Sequence, residues 1–214
     1  MSRDPAQIFF DMIAFLFAIT LHEAAHAWTA ARCGDRTAKD LGRITLNPIK
    51  HIDLFGTIIV PLIGLFSNFG FIGWAKPTPV EPRNFKNPMG DDILVSVAGP
   101  ASNLLLIVVF GLALKSAAIF SNFHRIPSTA APLLYLCFSS VLINIVLFVF
   151  NLLPIPPLDG SHVIRHFLAG KTLEMYDNIG MYGLMLFFIA NWYFDFLGVL
   201  IRPIEALVAR VFLT

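Results

Sequence analysis

The sequence predicts an all-α polytopic membrane protein: about four to six transmembrane helices, one re-entrant or broken segment and short extended loops. Three observations predict it. First, 57% of the 214 residues are hydrophobic and 14% are charged, against roughly 25% charged in an ordinary soluble domain, and the mean hydropathy is +0.73. A soluble globule of that composition has too little polar surface to cover itself. Second, four stretches meet the requirement of about 20 mostly apolar residues for a spanning helix. They run about Ile8 to Ala31, Ile93 to Ile119, Leu133 to Leu153 and Ile179 to Ile201. Third, a fifth apolar stretch, Leu54 to Trp74, carries Gly56, Pro61, Gly64, Gly70 and Gly73. That density of helix breakers fits a broken or re-entrant segment rather than one straight helix.

The same numbers exclude other classes. A disordered chain, a secreted disulfide scaffold and a nucleic-acid binder with a basic face all need a different composition. The net charge of +1 says nothing about partners. Cys33 and Cys137 cannot make a disulfide framework and read as small buried thiols. Residues 1–214 read as a single domain, with a motif-bearing core at about 8–165 and accessory helices at about 166–214. The first span does not read as a cleavable leader: Arg3 is offset by Asp4, and His22-Glu23 stands where a small-residue cleavage site would be expected.

The connections differ in character. Cys33 to Asp53 carries Arg36, Lys39, Arg43, Lys50 and His51. Ala75 to Asp92 carries Lys76, Arg83 and Lys86 among Pro77, Pro79, Pro82 and Pro88, and reads as extended chain ruled by proline. Pro154 to Asp177 carries Arg165 and Lys171, and Phe120 to Ala131 carries Arg125.

Late in the first span comes His22-Glu23-Ala24-Ala25-His26. Residues i and i+4 share a helix face, so the two imidazoles can address one metal ion. Glu23 lies about 100° around the helix from His22, poorly placed as a further ligand but well placed to reach a water that the metal activates. Two histidines with an open position suit Zn²⁺. Three ionisable residues within one turn of a membrane helix are costly and functional by default; the plainer reading is a polar bundle interior. A catalytic zinc wants a third protein ligand. The metzincin continuation needs Gly and His where this chain has Thr29 and Arg32, and the next glutamate after Glu23 is Glu81, in the proline-ruled loop. The best remaining acid is Asp159. The prolines 154, 156 and 157 just before it end the third span and leave the backbone unwound, which is tolerated at membrane depth only beside a polar cavity.

HEAAH in an early span, AGPASN (Ala98 to Asn103) and NLLPIPPLDG (Asn151 to Gly160), in this order, resemble the site-2 protease family of intramembrane zinc metalloproteases. GRITLNPIKHIDLFGTIIVP (Gly42 to Pro61) and GWAKPTPV (Gly73 to Val80) resemble its short prokaryotic branch, without PDZ or CBS domains. The likeness covers roughly residues 15 to 165. It implies that His22, His26 and Asp159 bind zinc and that Glu23 activates water. The family's GxxxN motif falls on Gly99 and Asn103, and its NxxPxxxxDG motif on Asn151, Pro154, Asp159 and Gly160. His162 departs from the arginine that short relatives often carry there.

Topology can be tested by parity. His22 and His26 lie toward the C-terminal end of the first span, and Asp159 lies just past that of the third. They share a side only if Leu54 to Trp74 does not cross. Arg32, Arg36, Lys39, Arg43, Lys50, Lys76, Arg83, Lys86, Arg165 and Lys171 then fall on that side, and Arg3, Lys115 and Arg125 on the other, with Arg202 and Arg210 in the tail. The positive-inside rule makes the shared side cytoplasmic. The expectation is a multi-pass protein of a prokaryotic plasma membrane, its active site opening towards the cytoplasm. With Trp28 as an interfacial anchor, His22 lies about 9 Å deeper at 1.5 Å per residue.

The reaction expected is hydrolysis of a peptide bond in or near a substrate's transmembrane segment, with Glu23 as the proton carrier. Asn103 and Asn151 are candidates to bind substrate or oxyanion; the alternative is that they join helices. GWAKPTPV could offer a strand edge to an unwound substrate. His51 reads as a surface or structural histidine, or as a catalytic one. His162 and His166 form a second i,i+4 pair with no acid between them. Asp53, Asp91 and Asp92 read as span-end residues, while Asp11 and Asp195 lie within apolar stretches. The partners expected are a transmembrane protein substrate and the lipid bilayer, not a nucleic acid, and a homo-oligomer is compatible. Two other function classes compete: a membrane metal transporter, which would want ligands on both sides and a repeated half, and a catalytically inactive membrane scaffold.

Overall fold

The computed structural model describes residues 4–66, 73–123 and 128–212. Gly70 of the fifth apolar stretch, and Arg3 and Arg125 of the topology argument, lie outside them. The chain folds as helices joined by extended and turn segments, with no β-strand among the described residues.

Helix α1 (Pro5–Cys33) starts where Asp4 accepts the Ala6 N–H and Pro5 takes the first helical position. Its inward face is largely small: Ala14, Ala18, Ala24, Ala27 and Ala30 are buried. Small residues let neighbouring backbones approach closely, which is how helices pack inside a bilayer. The short α2 (Thr37–Asp40) follows. A π-helical turn (Leu54–Ile59) then runs into α3 (Val60–Phe66). The long α4 (Pro88–Phe123) and α5 (Ala131–Asn151) complete the core with α1. Ala14, Phe15, Ala18 and Ile19 of α1 pack on Leu106 of α4 and Ile143 of α5. Buried polar side chains also tie the helices: Ser139 and Tyr135 of α5 donate to Asp11 Oδ1 at 2.7 and 3.2 Å. Asp11 therefore lines the bundle rather than the interface.

The segment Leu54–Phe66 is apolar but too short to cross, since a spanning helix needs about 20 residues. The chain returns beside its own start. The N–H of Trp74 donates to Gly56 O at 2.9 Å, Thr57 Oγ1 donates to Trp74 O at 2.8 Å, and the N–H of Lys76 donates to His51 O at 2.8 Å. Both ends of the stretch therefore lie together, as the parity argument requires.

Among the described residues, three helices are long and apolar enough to span: α1, α4 and the helical stretch containing α5. The fourth expected span, Ile179 to Ile201, is not one straight helix. It divides between α7 (Gly170–Phe194) and α8 (Phe196–Phe212), and Tyr182–Phe194 meets α8 at 71°. The bend sits at Asp195, in the left-handed region at φ 50°, where aspartate is better tolerated than most residues. Asn191 caps the new helix by accepting the Leu197 N–H at 2.7 Å, and Arg202 pairs with Asp195. Ile201, Ile204 and Val208 of α8 then pack on Ile107, Val141, Ile145 and Val149 of α4 and α5. Between α5 and α7 the proline-rich turn leads into α6 (Asp159–Arg165), which opens on Asp159.

Candidate metal centre

Helix periodicity puts His22 and His26 on one buried face of α1, and α4 presses on that face. Gly99 is the point of contact: a Cβ there would collide with the rings of both histidines. Only glycine lets the backbone of α4 lie against the pair.

Each imidazole is fixed from behind. His22 Nδ1 lies 2.7 Å from Asn103 Oδ1, and His26 Nδ1 lies 2.7 Å from Val95 O. A carbonyl can only accept, so His26 Nδ1 carries a proton. The same follows for His22 along a relay that starts at a backbone carbonyl. Asn144 Nδ2 donates to Ser140 O at 2.7 Å, so Asn144 Oδ1 accepts from Asn103 Nδ2 at 2.8 Å. That leaves Asn103 Oδ1 as the acceptor for His22 Nδ1–H. In the neutral rings both Nε2 atoms then carry a lone pair.

Those lone pairs converge with a carboxylate. The two Nε2 atoms are 3.0 Å apart. Asp159 Oδ2 is 3.1 Å from His22 Nε2, and Oδ1 is 3.4 Å from His26 Nε2. Asp159 Oδ2 is buried without a hydrogen-bond partner. Electron-rich atoms repel at such range unless a cation lies among them. Ligands about 2.0–2.1 Å from a tetrahedral zinc stand roughly 3.3 Å from one another, so the residues present fit the ion. His22, His26 and Asp159 are also a group of three whose ligand atoms all lie within 4.8 Å of one another.

Asp159 reaches the histidines because the turn before it is tight. A Cβ at Gly160 would collide with the Leu152 backbone, so the start of α6 tucks against the end of α5. Glu23 is not one of the three converging ligands, as its position about 100° around the helix from His22 requires. It is half-buried, and its Oε2 accepts the Thr78 N–H at 2.7 Å while its carbonyl accepts from Thr78 Oγ1 at 3.0 Å. Thr78 lies in the extended chain of the GWAKPTPV stretch. The N–H groups of Trp74, Lys76 and Thr78 are taken by Gly56 O, His51 O and Glu23 in turn. Arg43, buried, fastens the same chain by donating to the carbonyls of Lys50, Lys76 and Pro77.

The other sequence candidates fall as follows. Asn103 is wholly buried and joins α1 to α5 through the relay above. Asn151 donates to Leu147 O of its own helix at 3.0 Å. His51 is not at the surface: it is 0% exposed and its Nε2 donates to Thr45 O at 3.0 Å. Burial, foremost, holds that ring below its ordinary pKa of 6.5, and Arg43 adds to the effect against the Thr45 carbonyl and Glu23. His162 and His166 have no acid between them in sequence, but Asp92 of α4 lies within reach of both rings. Trp28 is exposed beneath the Arg32 guanidinium, 4.7 Å from its ring centre. Sequence reasoning missed Asn144, Arg43, Thr78 and Asp92. Asn144 had a signal, an amide in the middle of an apolar span, seven residues before Asn151. The others take their meaning from contacts between distant segments.

The family model described as peptidase family M50 matches residues 10–130 and 117–190. The chain is 40% identical over 179 residues to a Bacillus subtilis protein named "Putative zinc metalloprotease YwhC", covering 83% of this chain and 78% of that one. It is 30% identical over 209 residues to the Rip2 protein of Mycolicibacterium smegmatis, which carries the same description, covering 90% and 76% of the two chains. Rip2 of Mycobacterium tuberculosis H37Rv is 30% identical over 197 residues, covering 88% and 72%. No solved structure matches. Donor set, helix frame and relatives agree: the chain belongs to peptidase family M50, the site-2 protease family, and is a multi-pass membrane metallopeptidase with zinc as its cofactor.

Proposed function

We propose that this chain is an intramembrane-cleaving endopeptidase, hydrolysing peptide bonds in or near the transmembrane segments of other membrane proteins. The observation that carries the reading is the place of the site. His22, His26 and Glu23 lie within an apolar helix long enough to span, and Asp159 reaches the two histidines from the start of α6, just after the proline-rich turn that follows α5. A site so placed serves substrates that are themselves in the bilayer.

In this reading His22, His26 and Asp159 hold the zinc. Bound there, zinc supplies Lewis acidity, polarising a carbonyl and making water acidic enough to ionise near neutral pH. Asn103 and the Val95 carbonyl keep both imidazoles turned with Nε2 inward. Glu23 takes the proton from the attacking water and delivers it to the leaving amine. The Thr78 N–H holds the Glu23 carboxylate in place. The extended chain around Ala75 to Val80 lies beside Glu23 and gives an unwound substrate a surface to lie along. Pro77 and Pro79 restrict any strand pairing there, since neither has an N–H to donate.

The excess of basic residues on the side of the site supports an active site opening towards the cytoplasm from a prokaryotic plasma membrane. The test is reconstitution: purified chain in liposomes with a model single-span substrate, the products mapped by mass spectrometry. The reading expects cleavage within or beside the apolar segment, stopped by a zinc chelator and restored by zinc. Cleavage confined to soluble peptides, with membrane substrates intact, would sink it.

A further inference from the structure

One face of α4 carries more than the histidine partners. Asp92, Val95, Gly99 and Asn103 follow one another at spacings of three, four and four residues, so they form a single stripe. Asn103 fixes His22, the Val95 carbonyl fixes His26, and Gly99 lets both rings lie against the helix. Asp92 heads the stripe, buried, and meets α6. His166 Nε2 stands 2.8 Å from its Oδ2, and His162 Nδ1 stands 3.5 Å from its Oδ1. One carboxylate therefore grips α6 one turn and two turns after Asp159.

The grip matters because α6 cannot hold itself. It is seven residues long, below the length at which an isolated helix is stable in water. Its other side-chain ties are to α7: Tyr176 OH reaches Ser161 O only at 3.5 Å, and the Arg165–Asp177 pair at 2.9 Å is exposed. The histidine ligands, by contrast, sit on a long, buried helix. Asp159 is the ligand whose position most needs support.

We infer that Asp92 is a positioning residue for the metal site, setting the Asp159 carboxylate through His162 and His166, so that a single face of α4 orients all three ligands. This rests on the reading of Asp159 as a ligand. Removing hydrogen-bonded supports of metal ligands costs roughly ten- to hundred-fold in metal affinity. A carboxylate at position 92 is what the role requires.

The experiment measures zinc affinity of the purified full chain in detergent by competition with a chromophoric chelator, and the visible spectrum of the cobalt-substituted protein. Asp92→Asn should weaken zinc by about ten-fold or more, and its cobalt spectrum should move towards that of Asp159→Asn. Asp92→Glu should recover most of the affinity. His166→Gln should reproduce the loss, and the double variant Asp92→Asn/His166→Gln should be no worse than either single one, since the two act as a unit. His166→Gln carries the test if Asp92→Asn fails to fold. Wild-type affinity and spectrum in both single variants would overturn the inference. So would a second zinc per chain, lost in those variants, because the cluster would then be a metal site in its own right. If wild-type chain binds no zinc, or Asp159→Asn binds it as tightly as wild type, the ligand reading itself falls and this inference with it.

Discussion

His22 Nδ1 donates to Asn103 Oδ1 at 2.7 Å, and that one bond decides which nitrogen of the ring faces the metal site. Its direction is set two residues away, where the Ser140 carbonyl accepts from Asn144. A buried amide on α4 thus reads the polarity of a backbone group on α5 and passes it to a ligand on α1.

Asn103→Leu removes the acceptor and should weaken zinc binding by roughly ten- to hundred-fold. Asn103→Asp keeps an acceptor for Nδ1–H but sets its second oxygen against Asn144 Oδ1, so its loss should fall between wild type and Asn103→Leu. Chelator competition measures both. If Asn103→Leu keeps wild-type zinc affinity and loses only kcat, the side chain acts on the substrate instead, as an oxyanion donor would.

Gly99→Ala places a methyl group where the two imidazoles lie. The expected result is a helical protein, by circular dichroism, that no longer retains zinc through purification. Zinc content equal to wild type would show that α4 moves aside without cost.

Thr78→Pro deletes the N–H that holds Glu23 Oε2. Hydrogen bonds to charged groups are worth about 1.5–3 kcal/mol, which corresponds to roughly a ten- to hundred-fold loss in kcat/KM, with zinc content unchanged. Thr78→Val keeps the N–H and gives up only the bond from Oγ1 to Glu23 O; its activity should stay near wild type. Equal losses in the two variants would locate the effect in the hydroxyl rather than in the support of the carboxylate.

His51 gives a dependence on pH. Burial keeps its folded pKa below 6.5, while the unfolded imidazole protonates near its reference value of about 6.5. Stability from this group is therefore full above that value and falls as pH drops below it, because the unfolded chain takes up a proton that the folded chain refuses. Between about pH 7.5 and 5.5 the thermal midpoint of wild type should fall further than that of His51→Gln. Identical falls would mean that this ring is not held neutral by the fold.

Local chemistry was legible in the sequence, and chemistry assembled from distant segments was not. The HEAAH spacing works within one helix, so His22 and His26 could be paired from the 3.6-residue period alone. Asp159 stood out because three prolines marked an unwound end. The return of Leu54 to Trp74 followed from parity, and the bonds of Trp74 to Gly56 and Lys76 to His51 are its physical form. The bend between α7 and α8 left no such mark: Ile179 to Ile201 is apolar throughout apart from Asn191 and Asp195, and one aspartate in the left-handed region turns the chain. Asp92 read as a span-end acid because the histidines it grips lie 70 and 74 residues further on, a separation that no local pattern encodes.

The central claim is that a zinc held by His22, His26 and Asp159 works with Glu23 as the proton carrier. Glu23→Gln tests it most directly, with zinc content and cleavage of a membrane substrate measured on the same preparation. The account predicts wild-type zinc, one ion per chain, and cleavage reduced by at least about a hundred-fold, within the range that positioned acid–base catalysis contributes. A variant that holds zinc and cleaves as fast as wild type would contradict it.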